Sequence, residues 1–460
     1  MISSVCDSQK ARLAPGGNYF KSQNSSGAGC RTTGDTLKQR HQVLFLLSLL
    51  SAITYLDRVC ISVAGPRIQH ALHLSPVQWG WVGGVFSISY ALFEIPSGYL
   101  GDRIGARAVL SRIVLWWSGF TALTGLAWNY PSLLITRFLF GVGEAGAGPN
   151  ASVSISRWFP PTERARAMGV FLMGAEVGTA LTPLLVIPIQ QHYGWRASFF
   201  VLGLIGAGWV AVWRRRYHDN PSDSPRITPS EVEEIGRTVR NSELALPWRS
   251  ALRSRNLWAI LLTGLSYRYG IYFFQFWLPT YLVSGRGYTE TALLLTTWLF
   301  AGGAVANVTG GWASDALVKG LGLKTARRVV PFSGLVISAL SLTLTIFVAG
   351  KYYLLVLLTL SYCGITYAQA PCWTVCMDVG ARFTGVVSGA RNTTSQIGAT
   401  ISSVVFGYMV RSTGSYNIAL IPVVGMIALC AILCLRIDAT EQLFPESIPG
   451  VRTAHPTPTP

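Results

Sequence analysis

Charge is scarce in this sequence. Asp, Glu, Lys and Arg make up only 12% of its 460 residues, about half the share in an ordinary soluble domain. A water-soluble enzyme and a disordered chain are both excluded on that ground. The six histidines all fall in tails, loops or helix edges, so no imidazole stands inside an apolar run. The eight cysteines form no C-x-x-C pair, because Cys372 and Cys376 are one residue too far apart. Neither a disulfide scaffold nor a zinc site follows. H-E-x-x-H, G-x-S-x-G and the Walker loop are missing, which leaves metalloprotease, serine-hydrolase and ATP-driven chemistry without their residues. GVGEAG (141–146) satisfies G-x-G-x-x-G formally, but it lies in an apolar run with no strand before it. Its glycines read as points of close helix approach. No enzyme activity, metal or cofactor is expected.

What the chain has is apolar runs of about 20 residues, each long enough to cross a bilayer. Six predicted helices cover 42–64, 78–100, 107–128, 131–156, 165–188 and 195–213. Six more cover 257–283, 289–313, 327–349, 352–377, 383–410 and 416–436. The 15 Trp and 18 Tyr suit two membrane–water interfaces. The expected fold is an all-α membrane protein, with twelve transmembrane helices in two pseudo-symmetric six-helix bundles. The bundles span 42–213 and 257–437, joined by a polar linker at 214–256. Polar tails at 1–41 and 438–460 are expected to be disordered.

The net charge of +17 follows from where the basic residues lie. With the N-terminus inside, 28 of the 37 Lys and Arg fall on the cytoplasmic side and 5 on the other. That is the positive-inside pattern, placing both termini in the cytoplasm and removing any need for nucleic acid. A repeat supports two related halves. GYLGDRIGAR (98–107) and GGWASDALVKG (310–320) each set Gly, Asp and then basic residues at a cytoplasmic exit, with Asp102 and Asp315 213 residues apart. Duplicated halves in a membrane protein enclose a central substrate site.

Charges inside the spans mark that site, since each costs about 2.5–3.5 kcal/mol at the bilayer centre unless it faces a partner or a wet cavity. They are Asp57, Arg58, Glu94, Arg137, Glu144, Glu176, Arg268 and Arg391. Arg137 and Glu144, seven residues apart, fall within about 20° of one helix face. Adjacent Asp57 and Arg58 point about 100° apart, so one can face a cavity while the other faces a neighbouring helix. Arg268 stands among Tyr267, Tyr269, Tyr272 and Gln275. A guanidinium among tyrosines suits a carboxylate with neighbouring hydroxyls. The competing expectation for Asp57, Arg58, Arg137 and Glu144 is internal ion pairing that holds helices together, and for Arg268 it is an aromatic belt with a snorkelling arginine.

At GYLGDRIGAR and at RWFPPTERARAMG (157–169) the chain resembles the major facilitator superfamily. ITYLDRVCISVA (53–64) and RFLFGVGEAGAGPNASVSISRWF (137–159) are similar to its anion:cation symporter branch, which includes bacterial sugar-acid/proton symporters. The resemblance covers about 42–438. It implies anion binding by Arg58 and Arg268, with Tyr55, Tyr90, Tyr272 and Asn392 as further lining. Glu176 falls near a polar substrate contact that is not usually an acid in the family. The resemblance also implies proton coupling through Asp57 and Glu144, with Arg137 beside them. Asp102 caps the eleventh helix in the family pattern, and Arg107 and Asp315 join it as gating candidates. The expected function is import of a small organic anion by proton symport, by a monomer in the bilayer of a bacterial inner membrane. An anion exchanger, a facilitator without proton coupling, or a non-transporting sensor are the alternatives.

Overall fold

The computed structural model describes residues 38–160, 163–235, 251–380 and 384–443. The described residues form twelve long helical rods. The first six are α1 (Gln39–Val63), α2 (Pro76–Ile104), α3 (Ala106–Thr124), α4 (Tyr130–Glu144 and Ala147–Trp158), α5 (Arg164–Tyr193) and α6 (Trp195–Arg216). The second six are α7 (from Arg255–Tyr272), α8 (Thr296–Leu321), α9 (Leu323–Phe347), α10 (Lys351–Tyr367 and Gln369–Gly380), α11 (Thr384–Thr413) and α12 (Leu420–Arg436). Among the described residues, six helical stretches are long and apolar enough by themselves to cross a membrane: Gln39–Val63, Arg166–Tyr193, Trp195–Arg216, Glu290–Leu321, Leu323–Phe347 and Lys351–Gly380. Leu204, Trp298, Trp312, Phe347 and Val356 stand exposed on the outer surface, as lipid-facing side chains do.

Local chemistry sets the turns. Gly105, Gly194 and Gly322 adopt φ of 87°, 80° and 79° between α2 and α3, α5 and α6, and α8 and α9. Glycine takes this left-handed conformation without a Cβ penalty, so each helix pair reverses within one residue. Asn129 starts α4 with a capping box, accepting from the Ser132 N–H at 2.9 Å while Ser132 Oγ accepts from the Asn129 N–H.

Packing repeats with a shift of six helices. In the first half α1 packs on α5, α2 on α4, and α3 on α4 and α6; in the second, α7 packs on α11, α8 on α10, and α9 on α10 and α12. Between halves, α2 lies along α11 and α5 along α8, while α1 meets α7. These pairings also map onto one another under the same shift. A Cβ on Gly178 would sit 2.2 Å from the Ala52 carbonyl oxygen, and one on Gly398 would sit 2.2 Å from that of Leu265. Ala52 and Leu265 are 213 residues apart, the offset of the Asp102–Asp315 repeat. The same close contact of α5 on α1 therefore recurs as α11 on α7.

Two expectations need correction. The fourth span is not one helix over 131–156. It breaks after Glu144, where Ala145 is extended (ψ 130°) and Gly146 has φ 95°. Ser97 packs where a Gly146 side chain would be, its Oγ 2.1 Å from an ideal Cβ. The seventh span also departs from a regular helix, with π-helical turns at Phe273–Trp277 and Tyr281–Gly285 on either side of Leu278–Thr280. Pro279 lacks an N–H to continue the regular ladder, and the chain widens around it.

The linker is partly ordered. A short helix, Pro229–Ile235, sends Glu231 to accept hydrogen bonds from the backbone N–H groups of Gln39 (3.1 Å) and Arg40 (2.8 Å). Those groups at the start of α1 would otherwise lack partners. Glu234 adds an ion pair to Lys38 at 2.7 Å. The segment 229–235 is helical, and the linker from 236 to 250 lies outside the described residues.

Gly178→Leu is expected to lose the fold, because a branched side chain cannot fit against the α1 backbone. Gly208→Ala, with open space around its Cβ position, is expected to leave thermal stability within about 0.5 kcal/mol of the parent. Fluorescence-monitored unfolding and size-exclusion elution of the purified variants measure both.

Candidate anion site between the halves

The charged residues converge where α1, α2, α4 and α7 meet. Arg58 Nε donates to Glu144 Oε1 at 2.5 Å, and the Glu144 side chain is fully buried. Glu144 holds that place because α4 breaks immediately after it. The Arg58 guanidinium also lies over three rings, Tyr90 at 4.8 Å, Tyr55 at 5.1 Å and Phe86 at 5.3 Å. Those rings offer their negative faces to the cation.

Arg137 is 3% exposed and has no carboxylate within ion-pair distance among the described residues. Its guanidinium rests on Phe140 (4.3 Å) and Phe86 (5.0 Å). Arg268, on α7, stands over Tyr272 at 5.7 Å and likewise shows no carboxylate partner among the described residues. Tyr272 is itself fixed, its hydroxyl donating to the Gly83 carbonyl at 3.1 Å and accepting from Ser87 Oγ at 3.3 Å. The π-helical turns begin one residue after Tyr272 and carry Gln275 and Phe276 to the same wall.

These side chains enclose a small cavity lined by Tyr55, Arg58, Phe86, Arg137, Arg268, Tyr272 and Gln275, with Val59 and Phe276. It has room for roughly one water molecule. A six-carbon acid would need the walls to part. The site is thus cationic, aromatic-walled and closed in this conformer.

The far end, away from the linker, is sealed between the halves. Arg67, in the short helix Gly65–Ala71, pairs with Glu290 at 2.6 Å and donates to the Gln190 carbonyl. Gln69 donates to Thr280 Oγ1 (2.9 Å), Ser62 to the Phe276 carbonyl (2.8 Å) and Ser403 to the Gly80 carbonyl (2.7 Å). Nearer the linker end, Asn392 Nδ2 donates to Glu94 Oε1 at 2.5 Å.

The remaining candidates fall elsewhere. Asp57, 1% exposed, turns into the first half beside Glu144, Arg137 and Trp117, and neither of its oxygens makes a hydrogen bond of standard geometry. Its divergence from Arg58 follows the 100° helical step. Glu176 faces Tyr362 and Tyr267 of the other half and does not line the cavity. Asn392 meets Glu94 there rather than the arginine cluster. Arg107 takes its place beside α6 and the linker, its N–H on Asp219 (3.1 Å) and its guanidinium on the Arg214 carbonyl. Asp315 pairs with Arg327 at 3.0 Å, and Arg327 also holds Asp378 at 3.0 Å, tying α8, α9 and α10 together. The Asp102 side chain lies outside the described residues. Phe86 was missed from sequence; the signal was its position one turn before Tyr90 on the same helix face.

Among the described residues no group of His, Cys, Asp and Glu is arranged to hold a metal ion, and the six described cysteines are unpaired thiols. Glu144→Ala is expected to cost about 3–5 kcal/mol by leaving Arg58 buried and unpaired. The double variant Arg58→Met, Glu144→Leu is expected to recover most of that loss, as read by unfolding in detergent.

The comparisons agree with this architecture. The family model of the Major Facilitator Superfamily matches residues 47–403. A probable sulfoacetate transporter, SauU, of Cupriavidus necator is 34% identical over 388 residues, covering 83% of this chain and 90% of that protein. A hexuronate transporter of Bacillus subtilis is 30% identical over 87% of this chain and 94% of its own length. A probable galactarate/D-glucarate transporter, GarP, of Escherichia coli is 30% identical over 86% and 93%. Among solved structures, a bacterial homologue of the human lysosomal transporter Spinster, inward-facing and occupied, superposes with a TM-score of 0.70 at 20% identity, over 87% of this chain and 95% of that one. The chain belongs to the Major Facilitator Superfamily, and is a multi-pass membrane transporter rather than an enzyme.

Proposed function

We propose that this protein imports a small organic anion, of the sugar-acid class or a related carboxylate, by proton symport through alternating access. The observation that carries the proposal is the set of three guanidiniums, Arg58, Arg137 and Arg268, around one cavity at the seam between halves, with a carboxylate of the described residues on only one of them at ion-pair distance. Buried cations without partners are costly, and an anionic substrate supplies what they lack. The relatives support the class. Their names cover a hexuronate, an aldarate and sulfoacetate, all of them anionic.

Coupling is assigned to Glu144 and Asp57. With Glu144 ionised, Arg58 is engaged. Protonation of Glu144 releases Arg58 toward the cavity, where it can take the substrate carboxylate together with Arg268. After release the carboxylate recaptures Arg58, so that anion and proton travel together. Asp57, beside both Arg137 and Glu144, is the second proton site. Tyr55, Tyr90 and Tyr272 orient the anion.

The halves 42–213 and 257–437 act as the two rocking domains, joined by the linker 214–256. With both termini in the cytoplasm, the end closed by Arg67–Glu290 faces outward, and release proceeds toward the linker side once the walls of the cavity part. Asp102, Arg107 and Asp315 are assigned to the opposite closure. A monomer in a bacterial inner membrane is the expected setting.

Uptake into proteoliposomes tests the reading. An imposed inward proton gradient is expected to drive accumulation of a sugar acid. Glu144→Gln is expected to abolish that accumulation while retaining exchange of labelled for unlabelled substrate. Gradient-insensitive uptake by the parent would favour exchange or facilitated diffusion. Binding without flux would make the chain a sensor.

A further inference from the structure

Along α2, Phe86, Tyr90 and Glu94 recur every four residues and share one face. Phe86 lines the cavity and Tyr90 lies against the Arg58 guanidinium, so Glu94 continues the same wall one turn toward the linker end. Glu94 is 8% exposed, and its two oxygens differ. Oε1 accepts from Asn392 Nδ2 across the seam, whereas Oε2 is buried with no partner among the described residues. A buried polar atom left without a hydrogen bond is destabilising, so the free oxygen of Glu94 gains from any donor that reaches it.

The surroundings narrow what that something is. The bond with Asn392 is one in which Glu94 accepts, and Oε2 is the remaining oxygen of the same carboxylate. Gln396 Oε1 on α11 is another buried acceptor without a partner among the described residues. The seam therefore has two chemistries stacked along the helix axes. Along this face of α2, Tyr90 meets the Arg58 guanidinium, and Glu94, one turn on toward the linker end, offers an unfilled acceptor. A hydroxyl can donate to such acceptors. A second carboxylate cannot, and it brings a like charge against Glu94.

We infer that Glu94 selects a polyhydroxylated acid with one acidic end, whose carboxylate meets Arg58, Arg137 and Arg268 and whose hydroxyls donate toward Glu94 Oε2. Molecules with an acid group at both ends are disfavoured by the same carboxylate. The inference rests on the organic-anion reading above and chooses among the substrates it allows.

D-Galactonate and galactarate test it directly. They share a six-carbon hydroxylated chain and differ at one end, CH2OH against carboxylate. Isothermal titration of the purified full chain is expected to give at least about tenfold tighter binding of D-galactonate. Glu94→Gln keeps an acceptor for Asn392 and removes the charge, so the gap is expected to close to about threefold or less. Glu94→Asp, which keeps the charge, is expected to retain the discrimination. Galactarate binding as tightly as D-galactonate in the parent would overturn the inference, as would a gap unmoved by Glu94→Gln. Binding of other carboxylates with no response to either sugar acid would overturn it too. If no organic acid in a wider panel binds or is transported, the organic-anion reading itself has failed, which separates the two outcomes.

Discussion

Charges withdrawn from water must find an opposite charge, an aromatic face or a hydrated space. That constraint organises the centre of this molecule. Glu144 Oε1 pairs with Arg58 while Glu144 Oε2 has no hydrogen-bond partner among the described residues, and the break in α4 after Glu144 holds the acid in place. Arg137 rests on Phe86 and Phe140, which soften its isolation without neutralising it. Arg268 stands across the seam with Tyr272. The two halves thus present cations to one another across a narrow space, an arrangement that gains from an anion between them.

The repeated architecture makes such a site usable. Contacts of α1 with α5 recur as those of α7 with α11, down to the glycine that lets each pair touch through its backbone. Each half thus repeats the packing of the other. The two meet along α2–α11, α5–α8 and α1–α7. At the far end that meeting is fastened by several hydrogen bonds and one ion pair, Arg67–Glu290. Toward the linker, Glu94–Asn392 joins α2 and α11. A seam fastened mainly at one end is suited to opening at the other, which is the motion alternating access requires.

Much of this was legible in the sequence. Apolar runs fixed the helix count because a bilayer permits few alternatives to a helix of about 20 residues. The Asp102–Asp315 repeat announced two halves, and the 100° step between Asp57 and Arg58 foretold that only one would face the cavity. The break after Glu144 was not legible, since Ala145 and Gly146 sit in a run that reads as continuous helix by hydropathy. The π turns around Pro279 were equally silent. Glu94 and Asn392 stand 298 residues apart, and their meeting depends on how α2 registers against α11, a tertiary fact that no local pattern carries. Asn392 was placed near the anion from family resemblance, yet in this conformer its amide is committed to Glu94. A spacing argument could not have shown that competition.

The central claim is that an anionic substrate replaces Glu144 as a partner of Arg58 at the seam. A structure of the protein with its transported acid bound, at a resolution that separates side chains, tests it most directly. The account predicts the acid between the halves, its carboxylate within hydrogen-bonding distance of Arg58 and Arg268, and Arg58 drawn away from Glu144. Density for the acid outside the seam, with Arg58 still joined to Glu144 and Arg268 without an anionic partner, would contradict it.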